Sequence, residues 1–140
     1  MLQKGFLFFI QKPKEVKDLN TESILTSIKK QLGITEEYTH FDSDIIMHIN
    51  SVLAILTQLG IGETDGFSIS DDSSTWQDFM GEDKKLEFVK SYVYLKVRLL
   101  FDPPLSSAVM EAMNRMISEL EWRIFVSADP IENEEEIQND

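Results

Sequence analysis

The 140-residue chain contains no cysteine. Disulfide scaffolds, thiolate metal sites and cysteine nucleophiles are therefore excluded. Long apolar runs are missing as well, and no stretch approaches the ~18 residues that a membrane span requires. No membrane association is expected. The densest run, Phe6-Leu7-Phe8-Phe9-Ile10, is shorter than the ~7–15-residue apolar core of a signal peptide. Gln11-Lys12-Pro13-Lys14 follows it with no small-residue cleavage site, so the chain reads as not exported. Lys and Arg are absent from residues 31–83, and 25 acids against 13 bases leave a net charge of −12. That balance argues against a module whose whole surface grips nucleic acid, because phosphate neutralisation needs clustered cations.

Catalytic patterns are absent too. There is no Gly-x-Ser-x-Gly elbow, no phosphate-cradling Gly-Lys-Ser/Thr loop and no Gly-x-Gly-x-x-Gly fingerprint, so no cofactor is expected. The two histidines, His40 and His48, match no zinc or di-iron helical spacing. His48 follows Asp44 by four residues and reads as half of an exposed helical pair. Asp65, Asp71, Asp72 and Asp78 crowd one region but lack the order of a calcium loop. Glu119 and Glu121 cannot face one another on a helix, so no paired-carboxylate site is indicated. The chain does not read as an enzyme.

What is present is an ordinary globular composition, 42% hydrophobic and 27% charged, enough for one domain with its own core. Its charge is laid out in blocks. Residues 1–30 carry +3, residues 31–83 carry −11, residues 84–101 carry +4, residues 102–128 carry −2 and residues 129–140 carry −6. Such blocks suit faces of opposite sign that meet in an assembly, although solvated surfaces account for them equally well.

Periodicity predicts an all-α fold, a small bundle of three or four helices around a central apolar helix, with a long loop carrying at most a short β element. Residues 1–20 read as an N-terminal extension, 21–128 as the helical domain and 129–140 as an acidic tail. Phe6–Ile10 suits a strand or anchor docking on a neighbouring subunit, or else a poorly ordered terminus.

The first helix runs from about Glu22 to Leu32, capped by Asn20 or Thr21 and closed by Gly33, with Lys29 and Lys30 complementing its dipole. The second follows an Asp42-Ser43 cap and ends at Gly60. Phe67-Ser68-Ile69 alternates as a short strand or hairpin arm would. A brief turn, Trp76 to Met80, starts from a Ser74 or Thr75 cap. The central helix spans Lys84 to Phe101, capped by Asp83, and is apolar nearly all round, hence buried on several sides. Asp102-Pro103-Pro104 stops it.

The last helix spans Ser107 to Phe125 with Ser106 as cap and Leu105 stapled onto Met110. Val109, Met113, Met116, Ile117, Leu120 and Ile124 form its inward stripe. Met110, Trp122 and Phe125 widen that stripe, which hints at a second contact surface. A broad core face explains the width as well, and on periodicity alone that reading takes precedence, because Met stripes usually fill cores.

The run Tyr92-Val93-Tyr94-Leu95-Lys96-Val97-Arg98-Leu99-Leu100-Phe101-Asp102-Pro103-Pro104, the later Glu119-Leu120-Glu121-Trp122-Arg123-Ile124, the helix Asp42–Leu59 and the Trp76-x-x-Phe79 turn together resemble the small head–tail connector (adaptor) proteins of tailed bacteriophages and prophages. The resemblance covers Glu22 to Val126, and residues 1–20 have no counterpart in it. It implies an all-helical structural protein of the virion, assembled in the host cytoplasm. It further implies a homo-oligomeric ring of about a dozen copies below the portal protein, joining it to stopper or tail-completion proteins. DNA passes through such a ring without specific binding.

A ring needs one patch to meet a different patch on the next copy. On that reading Met110, Trp122, Arg123 and Phe125, with Lys96 and Arg98 of the basic block, are the expected subunit or portal interface. Glu63, Asp65, Asp71 and Asp72 are the expected channel- or partner-facing charge, where like-charge repulsion would keep phosphates from sticking. An exposed, solvated loop accounts for these acids equally. A different class of function also fits the charge: an acidic helical module that mimics DNA and regulates a host protein.

Overall fold

The computed structural model describes residues 21–62, 66–83 and 85–128. The N-terminal extension, the acidic tail, Glu63 and Asp65 lie outside the described residues. Among the described residues five helices follow one another: α1 (Ile24–Gln31), α2 (Asp42–Gln58), α3 (Trp76–Met80), α4 (Leu86–Phe101) and α5 (Ser107–Ala128). The fold is all-α, as expected. Helix α4 is the hub, packing against α1, α2 and α5. Its Leu86, Val89, Tyr92, Val93, Leu95 and Val97 are buried, and they meet Ile45, Ile49, Leu53 and Leu56 of α2 and Ile117 and Ile124 of α5 in one core. Its apolar surface is not wholly covered, since Phe88 and Leu100 remain exposed.

Two helix ends are closed by glycine as the sequence implies. After α1, Gly33 (φ 80°) lets its own N–H reach the Lys30 carbonyl while the Ile34 N–H reaches that of Lys29. After α2, Gly60 (φ 84°) does the same with Thr57, and Ile61 with Leu56. Both are paired turns that satisfy orphan carbonyls and need the left-handed backbone glycine adopts freely. Buried Ile61 then leads the chain back under the core.

Helix starts differ from expectation by a few residues, each for a visible reason. Ser23, not Asn20 or Thr21, caps α1, its Oγ accepting the Thr26 N–H at 3.2 Å. Backbone bonds from Ile24 N–H to the Ser74 carbonyl (3.0 Å) and from Trp76 N–H to the Glu22 carbonyl (3.2 Å) tie the entry of α1 to that of α3. Thr75 caps α3 in a reciprocal pair with Asp78. Asp42 opens α2 but does not cap it, and its carboxylate turns instead to Lys29 at 2.8 Å. Asp83 accepts the Lys85 N–H at 3.0 Å in the turn before α4, whose first residue is Leu86.

The strand suggested by Phe67-Ser68-Ile69 does not form. Asn50 on α2 takes its place as a pairing partner, donating to the Ile69 carbonyl (2.9 Å) and accepting the Ile69 N–H (2.7 Å). One side chain thus satisfies a peptide that would otherwise need a neighbouring strand. The β-pairing among the described residues is a single bridge between Ser23 and Thr75.

Three buried polar groups stitch the small helices to the core. The indole N–H of fully buried Trp76 donates to Ser27 Oγ at 2.9 Å, and Ser27 in turn donates to the Ile24 carbonyl. Lys29, buried in α1, joins Asp42 and also donates to the Glu36 carbonyl at 3.0 Å, closing the loop before α2. Lys90 reaches Glu22 at 3.7 Å and lies 5.9 Å from the Trp76 ring centre. The loop ahead of α2 also stacks Phe41 edge-on against Phe101 at 5.4 Å, anchoring it to the end of α4.

Candidate functional site

Helix α5 packs on α4 along one narrow stripe. Ile117 and Ile124 are buried, and Met113 and Leu120 are half-buried against the core. Val109 and Met116, expected to point inward, are about half exposed. The predicted Leu105–Met110 staple is not made either, because Leu105 stands fully in solvent. Both differences share a cause: α5 has one strong helical neighbour, α4, and nothing lies over its outer side among the described residues. An α-helix turns ~100° per residue, so a single partner covers only a strip of it. The apolar residues flanking that strip are left open to water.

Those flanks are unequal. Val109 and Met116, seven residues apart, sit on one edge of the buried stripe. On the other edge Met110, Asn114, Ser118, Phe125 and Trp122 follow one another. Two shallow, open depressions run along this second edge. One is bounded by Pro104, Leu105, Met110, Asn114 and Arg115, the other by Leu59, Glu121, Trp122 and Phe125, and Ser118 lines both. Trp122 is 63% exposed and Phe125 50%. Large apolar groups left open in series, with polar residues around them, are the usual marks of a surface that meets another protein.

The structure thus brings Met110, Trp122 and Phe125 to a single flank. It does not bring the expected cations to them. Arg123 points away from Trp122 around the helix and pairs with Glu119 at 2.9 Å. Arg98 lies 3.8 Å from Asp102. Lys96 lies 5.8 Å from the centre of the Tyr92 ring. These exposed or half-exposed contacts are weak and leave the three cations accessible at the surface. Residues the sequence reading assigned to the core, Val109 and Met116, join the exposed set with Leu105.

Beneath the flank, Tyr92 of α4 is buried, its hydroxyl without a well-formed hydrogen bond and facing the Glu121 carboxylate. Burial first, and then the charge of Glu121, push its pKa up to about 12. Of the loop acids, Asp71 and Asp72 are exposed. Asp71 accepts the Ser73 N–H at 2.8 Å and the Ser73 hydroxyl, which holds its carboxyl below the usual carboxylate range. Asp78 is occupied in the α3 cap. Among the described residues no group of three or more His, Asp or Glu side chains is arranged to hold a metal ion, and no helix is long and apolar enough to cross a membrane.

The arrangement leaves an apolar flank of α5 open at the surface. Neither the curated proteins nor the solved structures contain a match to the chain. The family model described as phage connector protein matches residues 24–130, from the first residue of α1 to just beyond α5. The α4–α5 hairpin and its exposed flank thus lie wholly inside the match, and the chain belongs to the phage connector protein family, a family of structural phage proteins.

Proposed function

We propose that the chain is a head–tail adaptor of a tailed phage or prophage, assembling as a ring below the portal, extending the DNA channel and presenting a surface to the stopper or tail-completion protein. The observation that carries this reading is the open flank of α5, with Trp122 and Phe125 exposed and Met110 half-buried on the same flank of a folded helix. A ring interface joins unlike patches of successive copies. The α5 flank supplies an apolar patch, and Arg123, Lys96 and Arg98, which lie away from it, would supply charge to a different patch. Glu63, Asp65, Asp71 and Asp72 are the proposed channel- or partner-facing acids, Asp71 and Asp72 being exposed in the loop between α2 and α3. Acids lining a channel would repel DNA phosphates and let the genome slide.

The test is association with purified portal rings, read by mass photometry and negative-stain imaging. A collar of density on the portal, lost or weakened in Trp122→Ala and Arg123→Ala, is the expected result. A chain that stays monomeric and leaves the portal bare would overturn the reading. Monomer in isolation is compatible with it, because the portal itself can drive assembly.

A further inference from the structure

We propose that Phe6–Ile10 of the same chain docks on the Trp122–Phe125 end of the α5 flank, covering it in the free subunit. Three observations carry the assignment. The first is apolarity without a home. Phe6-Leu7-Phe8-Phe9-Ile10 is the densest apolar run in the sequence and lies outside the residues matched by the connector family, so the shared fold does not account for it. The depression lined by Leu59, Trp122 and Phe125 is an open apolar surface with aromatic rings that suit phenylalanine partners.

The second is where the chain enters the fold. Glu22 pairs with Lys90, two residues before Tyr92, and Tyr92 faces Glu121, the neighbour of Trp122. The start of α1 therefore lies at the end of the bundle that carries Trp122, one to two helix diameters from it, or ~10–24 Å. Residues 11–20 link Ile10 to Thr21, and eleven extended steps reach ~36–40 Å. The tether spans the gap with slack, and a short tether raises the local concentration of the segment to the millimolar range.

The third is charge. The linker carries Lys12, Lys14 and Lys17 against Glu15 and Asp18, a balance of +1, and the depression it would approach is edged by Glu121, with Glu119, paired to Arg123, two residues further back. The proposal stands on the exposed flank and not on the ring reading, and its test uses the isolated chain, so either can fail without the other.

The absence of cysteine makes the test direct. In the full chain, Ser118→Cys on the flank is combined with Gly5→Cys or with Gln11→Cys, which bracket the apolar run. Mild oxidation is expected to close a disulfide within one chain, at a yield independent of protein concentration and above that of a control pair placing Ser51→Cys on exposed α2. A crosslink between chains that grows with concentration, and that also forms on mixing single-cysteine variants, would overturn the proposal and seat a second copy on the flank. No crosslink above the control would overturn it too.

A second readout needs no cysteine. Phe8→Asp with Phe9→Asp should raise acrylamide quenching of Trp122 and shift its emission to the red, with Trp122→Phe as the blank for Trp76 and an unchanged helical melt as the folding check. Unchanged quenching would count against docking.

Discussion

At the scale of single residues, the firmest polar contact is Lys29 with Asp42. The lysine side chain is 3% exposed and the aspartate 25%, at 2.8 Å. Removing one partner of such a pair strands the other charge in a place water hardly reaches. Asp42→Ala is expected to cost ~3–5 kcal/mol in urea unfolding, and Lys29→Met combined with Asp42→Ala should recover most of that loss. Tyr92 makes a pH prediction. Its folded pKa is raised to about 12 against an ordinary 10.0, so the unfolded chain gives up the phenolic proton first. Stability from this group is complete below pH 10 and drains away as pH climbs from 10 to 12, by on the order of 2 kcal/mol. Tyr92→Phe should flatten that part of an alkaline denaturation curve. Neither contact was legible in the sequence. Lys29 sits in the last turn of α1, where the helix dipole explains a cation without a partner, and Asp42 stands in a good cap position. Only the fold of the intervening loop brings them together.

At the scale of elements, periodicity located each helix of the described residues, and turn chemistry closed α1 and α2 at Gly33 and Gly60. Periodicity marks a helix as two-toned, but it cannot count how many neighbours will cover the apolar tone. On α4 several neighbours do, and Leu95 is 8% exposed. On α5 one does, and Val109, Met116, Trp122 and Phe125 stay open. The same asymmetry separates the two helices experimentally. Leu95→Ala should destabilise the monomer by ~2–5 kcal/mol. Trp122→Ala should shift it by no more than ~0.5 kcal/mol, as exposed positions do, with its effect falling on assembly. Thermal melts of the two variants beside the parent chain check the contrast. The loop between α2 and α3 teaches a related lesson. Alternation at Phe67-Ser68-Ile69 was real, with Ile69 buried and Phe67 against Phe79 at 5.1 Å. A lone asparagine on another element, rather than a second strand, met its backbone.

At the scale of the whole molecule, charge is laid out in blocks and the last helix is covered on one side only. Two cations of the basic block have partners within the chain, Lys90 with Glu22 and, weakly, Arg98 with Asp102. The acids at Glu36, Glu37, Asp44, Asp71, Asp72 and Glu82 stay exposed. With a net charge of −12, the free chain should show no measurable affinity for duplex DNA at physiological salt in fluorescence anisotropy, because its acids outweigh the few clustered cations that counterion release needs. Saturable binding would overturn that expectation.

The chain carries two tryptophans, and the fold gives them opposite surroundings: Trp76 is sealed beside Ser27, and Trp122 stands in solvent. Nature has thereby installed two optical gauges in one small protein. The inner indole will glow blue until the bundle melts, whereas the outer one will change colour whenever something settles on the last helix. Unfolding and docking can therefore be followed separately, in a single cuvette, without any added dye.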